Sequence, residues 1–284
     1  MDQGVHAVKI AFIGLGIMGR PMAGHLVAAG HDVTGHDLQP VDFGGRFADS
    51  VAQAVREAEV VITMLPADPQ VLAVFPEIAE HAPAGALYID FSTITPQTSR
   101  TLASQWKRTL DAPVSGGEKG AADAVLSIMV GGSQDDFEAA RPIFEAVGKT
   151  FKLVGGPGAG QFVKAANQLV VGGTYALVAE AIVLMEAAGV DAGAGLDVLA
   201  GGLAGSRILE LKRTSMLNRE FAPGFRIDLH HKDMGIILDA ARTAEVALPM
   251  GALTAQLIAS ARAQGYGSLD HSALLKVVEG LSSR

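Results

Sequence analysis

The segment GLGIMG at residues 14–19 constrains the fold more than any other part of this sequence. It follows the apolar run KIAFI and opens a stretch whose apolar residues have helical spacing, and this order is typical of a dinucleotide-binding βαβ unit. Gly14 permits the tight turn, Gly16 lets the backbone approach a pyrophosphate, and Gly19 allows close packing of helix on strand. A glycine-rich turn without a ligand is the alternative, and the strand and helix on either side weigh against it.

An acidic residue follows the second apolar run at the distance that such a unit needs. Asp37 ends the segment HDVTGHD, where its carboxylate would accept hydrogen bonds from an adenosine ribose and repel the 2′-phosphate of NADP. Leu38, and not an arginine, directly follows it, so the sequence favours NAD as cofactor and makes NADP the lesser alternative. A solvated turn aspartate is the competing interpretation. The loop and its acid predict as cofactor contacts Gly14, Leu15, Gly16, Ile17, Met18, Gly19, Asp37 and Leu38.

Strand-like and helical stretches alternate as far as about residue 154 and then stop alternating. The runs VKIAFI, EVVITML, ALYIDF, LSIMVGG and KTFKLV are separated by helical patterns, which predicts a doubly wound parallel sheet with right-handed crossovers. Beyond the turn-rich GGPGAG the sequence has long helical patterns only. We therefore predict an α/β fold with a Rossmann-like domain at 1–157, followed by an all-helical domain at 158–284.

Composition excludes several kinds of site. The 284 residues include no cysteine, which excludes disulfides, thiolate nucleophiles and cysteine-ligated metals. The net charge of −8 gives no general attraction to nucleic acid or anionic lipid, and neither is expected as a partner. No signal-peptide pattern is visible in MDQGVHAVKIAFIG, so a cytoplasmic location is expected.

The most apolar stretch spans residues 169–190, and the pattern over 161–188 predicts a long helix. Glycines and two glutamates, Glu180 and Glu186, interrupt it, which favours a buried helix over a membrane span. Because the helix is apolar on nearly every face, its own domain and a second subunit together would cover it. A homodimer or homotetramer is therefore expected.

Lys164 is the strongest catalytic candidate. It lies early in this apolar helix, and Asn167 and Gln168 follow on the same helical face. A buried lysine is rare unless it is paired, and desolvation lowers its pKa toward the range useful for proton transfer. The alternative is a lysine that extends to solvent at a helix end.

Two further polar segments are expected to share a cleft with Lys164. In DAPVSGG, Ser115, Gly116 and Gly117 present a hydroxyl and unobstructed N–H groups that can hold a carboxylate, although an ordinary turn explains the local pattern equally well. In FRIDLHHKD, Lys232 can reach the cofactor or an anionic substrate. The adjacent histidines, His230 and His231, lack metal-site spacing, and we expect them to be solvated or to cap a helix.

With these segments assembled, the chain resembles the β-hydroxyacid dehydrogenase family over almost its whole length. The resemblance implies Lys164 as the acid–base group, residues 115–117 holding the substrate carboxylate, and a helical second domain used for dimer or tetramer contacts. It also implies Asn167 or Gln168 beside the reacting oxygen, Lys232 near the nicotinamide, and further cofactor contacts from Leu65, Pro66, Ser92 and Thr93. Its anchors are GLGIMGRPMAGHL, ITMLP, DAPVSGG, GAGQFVKAANQ and HKD.

Within that family, GGLAGS, FAPGFRIDLHHKD and DHSAL are most similar to the tartronate semialdehyde reductases. This similarity implies reversible oxidation of D-glycerate, a small anionic hydroxyacid. Two departures matter: much of the family has asparagine where this chain has Gln168, and reductases of this type often have arginine where it has Leu38.

Three alternatives stay open at this point. The same chemistry on 3-hydroxyisobutyrate, or on another short β-hydroxyacid, is the nearest. Imine reduction is a second, against which Lys164 argues because enzymes with that activity usually lack the lysine. A non-catalytic NAD-binding module that retains the glycine loop is the third.

Overall fold

The computed structural model describes residues 7–283. By residue contacts the chain divides into two compact units, of which the first ends at Lys164 and the second begins at Ala165. The division falls inside one long helix, whereas the domain bounds proposed from sequence lie just ahead of it. The two units are described in turn.

The first unit alternates strands and helices, as the sequence pattern predicts. Its elements are β1 (Lys9–Ile13), α1 (Gly19–Ala28), β2 (Asp32–His36), β3 (Arg46–Phe47), α2 (Val51–Val55), β4 (Val60–Thr63), α3 (Asp68–His81), β5 (Leu87–Asp90), α4 (Pro96–Gln105), β6 (Thr109–Asp111), β7 (Val114–Ser115), α5 (Gly117–Ala122), β8 (Leu126–Gly131), α6 (Gln134–Val147) and β9 (Gly148–Gly155), followed by the first turn of α7 (Ala159–Ala187).

Nine strands form one sheet in the order β3-β2-β1-β4-β5-β6-β8-β7, with β9 paired to β8. The first six in that order are parallel, which confirms the predicted Rossmann-like doubly wound arrangement. Strand β8 departs from the prediction because it runs antiparallel to β6 and β7. The connection from Ser115 to Leu126 contains a helix of only six residues. It is shorter than the dozen or more residues that a parallel crossover needs.

Side chains from β1 show why the sheet is buried on both faces. Ile10 and Phe12 belong to one apolar cluster, whereas Ala11 and Ile13 belong to another. Successive residues of a strand point to opposite faces, so the near-continuous apolar runs of the sequence fill both cores at once. Helices on the two faces cover these cores and leave the carboxyl ends of the strands for a ligand.

The described part of the second unit contains helices and no sheet strand, as predicted. After α7 come α8 (Ala192–Ala200), α9 (Arg207–Leu217), α10 (Ile227–Thr243), α11 (Pro249–Ala261) and α12 (Leu274–Leu281). Their core includes Tyr175, Leu196, Ile237 and Ile258. The long helix predicted at 161–188 is confirmed as Ala159–Ala187.

Helix α7 is the one helix within residues 7–283 that is long and apolar enough, by length and composition, to cross a membrane. Its residues Tyr175, Ala179 and Ile182 are buried in the core of the second unit. These contacts are those of a core helix, and they agree with the interpretation made from the interrupting glycines and glutamates.

Candidate active site

The glycine loop between β1 and α1 has the shape that a dinucleotide phosphate requires. Gly14 has φ +100°, a left-handed conformation that favours glycine, and a Cβ there would overlap Met64 O. A Cβ on Gly19 would overlap Gly14 O, whereas a Cβ on Gly16 would meet nothing within 4 Å. The backbone at Gly16 is therefore open to a close-lying ligand, and the N-terminal end of α1 faces it.

Asp37 supports this loop directly. Its Oδ2 accepts a hydrogen bond from Leu15 N at 2.6 Å, and its Oδ1 accepts one from Leu38 N at 2.6 Å. Each carboxylate oxygen keeps a second lone pair, which is available to a ribose hydroxyl. Leu38 is 91% exposed and brings no charge to this end of β2.

The other predicted cofactor contacts follow the carboxyl ends of neighbouring strands. Leu65 and Pro66 follow β4, and Ser92 and Thr93 follow β5. Leu65 N donates to Ser92 Oγ at 2.8 Å, which ties the two segments together. Since β2, β1, β4 and β5 are adjacent and parallel, the structure brings these residues and the glycine loop to one edge of the sheet. The residues present fit a dinucleotide.

A buried carboxylate, Asp90, holds the segment after β5. Its Oδ1 accepts hydrogen bonds from Thr63 Oγ1 at 2.7 Å and from Ser92 N at 3.0 Å. Within the described residues its Oδ2 has no hydrogen-bond partner. Burial raises the pKa of Asp90 to about 6, against the hydrogen bonds from Ser92 and Thr63, which lower it.

Lys164 lies in the first turns of α7 with only 6% of its surface exposed. Its Nζ donates to Val114 O at 2.7 Å. This burial excludes the alternative of a lysine extended into solvent. Because Val114 directly precedes Ser115, the ammonium lies at the entrance of the SGG turn (residues 115–117).

The SGG turn itself needs its glycines. Ser115 ends β7 and is half-buried, whereas Gly116 and Gly117 have φ values of +140° and +62°. A side chain would strain either position. The turn therefore combines a partly accessible hydroxyl with open space beside Gly117, where a Cβ would meet no atom within 4 Å.

Two buried polar residues, Asp111 at the end of β6 and Gln161 in the first turn of α7, are not among the candidates from sequence. Asp111 ends β6 and is 3% exposed, and Gln161 is 1% exposed. Burial raises the pKa of Asp111, although hydrogen bonds from the N–H groups of Gly158 and Gln161 lower it. A charged residue at the end of an otherwise apolar strand was the available signal.

In the second unit the two candidate amides form a chain of hydrogen bonds. Asn167 Nδ2 donates to Gln168 Oε1 at 2.8 Å, and Gln168 Nε2 donates to Asp233 Oδ2 at 2.6 Å. Lys232 Nζ forms an ion pair with Asp233 Oδ1 at 3.1 Å. The motif HKD thus orients the Gln168 amide from α10.

The expectation of a solvated or capping His230 is wrong. His230 is fully buried, its Nε2 lies 3.2 Å from Gln168 O, and its Nδ1 lies 3.1 Å from His271 Nδ1. Gly172 explains this burial, because a Cβ there would lie 3.0 Å from His230 Nε2 and would displace the ring. In the part of the chain that is described, no three histidine or acidic side chains are grouped to hold a metal ion.

Comparisons with known proteins show that both parts of the chain match NAD-binding families. The family model for the NAD binding domain of 6-phosphogluconate dehydrogenase matches residues 9–156. The family model described as NAD-binding of NADP-dependent 3-hydroxyisobutyrate dehydrogenase matches residues 158–278.

Individual relatives match over nearly the full length. The 2-hydroxy-3-oxopropionate reductase of Escherichia coli (strain K12) is 40% identical, covering 96% of this chain and 97% of that protein. The probable 3-hydroxyisobutyrate dehydrogenase of Mycobacterium tuberculosis (strain ATCC 25618 / H37Rv) is 38% identical, covering 94% and 96%. The solved structure of M. tuberculosis 3-hydroxyisobutyrate dehydrogenase with L-serine gives a TM-score of 0.88 at 36% identity, covering 96% of this chain and 99% of that chain. With a nucleotide-binding sheet, a buried lysine and relatives of this similarity, the chain belongs to the β-hydroxyacid dehydrogenase family of oxidoreductases.

Proposed function

We propose that this protein interconverts D-glycerate and 2-hydroxy-3-oxopropionate with NAD(H), and that Lys164 is its general acid and base. The observation that carries the proposal is the buried Lys164 ammonium, 2.7 Å from Val114 O at the entrance of the SGG turn. The 40% identity to the E. coli reductase supports this substrate class.

A bound nicotinamide dinucleotide supplies the hydride for reduction and accepts it for oxidation. Lys164 Nζ donates a proton to the aldehyde oxygen as negative charge develops there, and it removes that proton in the reverse direction. A proton donor inside a buried site acts where water is excluded, so its interaction with the developing alkoxide is stronger than in bulk solvent.

Substrate orientation comes from the residues around Lys164. The Ser115 hydroxyl and the backbone N–H groups at Gly116 and Gly117 hold the carboxylate at a fixed distance from the reacting carbon. Asn167 or Gln168 assists at the reacting oxygen, and the Asp233 contact keeps the Gln168 amide in one orientation. Lys232 acts near the nicotinamide.

NAD is the proposed cofactor in preference to NADP. The Asp37 carboxylate would repel a 2′-phosphate, and the exposed Leu38 provides no cation to bind one. The test compares kcat/KM for NADH and NADPH with 2-hydroxy-3-oxopropionate. Equal or higher efficiency with NADPH would refute the preference.

Substitution of Lys164 tests the mechanism. Lys164→Ala should lower kcat by about two to four orders of magnitude with little change in cofactor affinity, because only proton transfer is removed. Ser115→Ala should mainly raise KM. The matched control is Lys119→Ala, which removes an exposed lysine paired with Asp123. Near-normal turnover in Lys164→Ala would remove the mechanism.

The second candidate substrate is 3-hydroxyisobutyrate, which the 38% identical Mycobacterium protein favours. Its methyl group needs an apolar wall where D-glycerate needs hydrogen-bonding groups. The ratio of kcat/KM for the two acids decides between them, because a site built for hydrogen bonding discriminates strongly against a substrate that lacks them. Dinucleotide binding without turnover on a panel of short hydroxyacids would favour a non-catalytic module instead.

A homodimer or homotetramer is part of the proposal. Val170, Leu177 and Leu184 lie at seven-residue spacing on α7 and are more than half exposed, forming an apolar stripe that a second copy of the chain would cover. We also propose a cytoplasmic location, no nucleic-acid or membrane partner, and functional domains at 1–157 and 158–284.

A further inference from the structure

The position of the Lys164 ammonium depends on where the first turn of α7 is held. The lysine side chain has four rotatable bonds, and its Nζ donates a hydrogen bond to Val114 O in the first unit. A shift of the helix start by one ångström would carry the Cα, and with it the amine, by a similar distance. Such displacements of a catalytic group cost up to about 100-fold in rate.

Asp111 holds this helix start from a distant part of the chain. Its Oδ1 accepts a hydrogen bond from Gly158 N at 2.7 Å, and its Oδ2 accepts one from Gln161 N at 3.0 Å, across 47 and 50 residues. The first N–H groups of a helix lack partners within it and carry partial positive charge. The Asp111 carboxylate binds one of them, Gln161 N–H, together with the N–H of Gly158, which directly precedes the helix. Asp111 therefore caps α7, since Gly158 has no side chain to do so.

The close packing around Asp111 leaves only one position for the first turn of α7. A Cβ on Gly160 would overlap Met129 O, and a Cβ on Gly131 would overlap the Asp111 carboxylate. The helix backbone therefore lies directly against β6 and β8 with no side chain between them. A displaced helix would lose both carboxylate contacts together.

Gln161 makes the second attachment. Its Nε2 donates to Ser92 O at 2.8 Å, and its Oε1 accepts from Ile94 N at 3.2 Å. These bonds join the same helix turn to the segment after β5. Lys164 follows three residues later, about one helical turn further along.

We propose that Asp111 and Gln161 are positioning residues that set the place of the Lys164 amine relative to the SGG turn. This inference rests on the proposed role of Lys164 as acid and base. Neither side chain needs to touch substrate, because each acts through the helix that carries the lysine.

A double-mutant cycle tests the proposal in the full-length protein, with 2-hydroxy-3-oxopropionate and NADH as probes. Asp111→Asn keeps the shape but loses the charge and one acceptor, and should lower kcat about 10- to 100-fold with little change in dinucleotide Kd. In the Lys164→Ala background the same substitution should change kcat less than about threefold, because the group it positions is gone. Equal fold losses in both backgrounds would overturn the inference, whereas near-normal kcat in Lys164→Ala would instead overturn the proposed function.

A second variant and a second measurement keep the proposal testable if Asp111→Asn does not fold or if the substrate is not turned over. Gln161→Met removes both side-chain hydrogen bonds at similar volume and should lower kcat about tenfold. Labelling with limiting acetic anhydride, followed by peptide mass spectrometry, should show Lys164 acetylated several-fold faster in either variant, with exposed Lys107 unchanged. An unchanged Lys164 rate in folded Asp111→Asn and Gln161→Met would refute the positioning role even if neither substrate is used.

Asp136→Asn is the matched control. Asp136 is another buried carboxylate at a helix start, where it binds Ser133 Oγ at 2.7 Å and Arg108 Nε at 2.8 Å. Its loss should destabilise the fold without changing kcat or Lys164 labelling. A kcat loss equal to that of Asp111→Asn would show a general stability effect and would contradict the proposal.

Discussion

Asp90→Asn should change the pH dependence of stability in a defined direction. Burial gives Asp90 a pKa of about 6, against 3.8 for an unperturbed aspartate. Because the folded-state value is the higher one, the folded chain binds the proton more tightly than the unfolded chain. The resulting stabilisation is fully present below pH 3.8 and is lost as the pH rises through 6.

The size of the effect follows from the two values. A difference between about 6 and 3.8 corresponds to about 3 kcal/mol at 1.36 kcal/mol per pH unit. The asparagine amide does not titrate, and its Oδ1 can keep the hydrogen bonds from Thr63 and Ser92. Relative to wild type, the variant should therefore gain about 2.4 kcal/mol of unfolding free energy between pH 4 and pH 7.5, because part of the change has already occurred below pH 4.

Reversible urea unfolding at several pH values between 4 and 7.5 measures this difference. The variant and wild type should be compared at equal m-values, so that the midpoints report stability alone. Ser50→Ala, which removes the hydroxyl that caps α2 in the same unit, is the control and should shift stability by a constant amount. A constant difference between Asp90→Asn and wild type across this range would refute the argument that Asp90 titrates there.

Two further substitutions follow from the same structure. Gly16→Ala should leave the unfolding free energy within about 1 kcal/mol of wild type, because a Cβ there meets no protein atom, yet it should weaken dinucleotide binding about tenfold. Gly19→Ala should instead lower the unfolding free energy by about 1 to 3 kcal/mol, because its Cβ overlaps Gly14 O. Calorimetry and urea unfolding separate the two effects, and equal losses of stability would contradict this distinction. Leu177→Asp places a charge on the exposed stripe of α7 and should yield a folded monomer in sedimentation velocity, while an unchanged oligomer would show that the stripe is not the contact.

The sheet could be predicted from sequence because its signals are local. The strand pattern KIAFI, the glycines after it and the helical spacing beyond them lie within about twenty residues, and the structure matches them closely. The antiparallel β8 could also have been anticipated, since its connection from Ser115 is too short for a crossover.

The buried polar contacts could not be predicted, because their partners are far apart in the chain. His230 is buried by virtue of a missing side chain at Gly172, and Asp111 caps a helix that begins 48 residues later at Ala159. No local periodicity in the sequence indicates that such distant residues are in contact. Lys164 was found because a charge in an apolar helix is conspicuous, whereas Gln161 was missed because a neutral amide there is not.

Because Asp111 caps α7 from the first unit, it determines where a fragment that contains only the nucleotide-binding part can end. A polypeptide truncated at residue 157 would leave the buried Asp111 carboxylate without its two N–H donors and the surface at Gly131 without the helix backbone that fills it. Removing the helix opens Asp111 to water, and the fragment loses two hydrogen bonds to a charged group, each worth about 1.5 to 3 kcal/mol, together with the packing at Gly131. A fragment intended for ligand-binding work should therefore extend at least through Lys164, several residues beyond the turn that separates the sequence patterns.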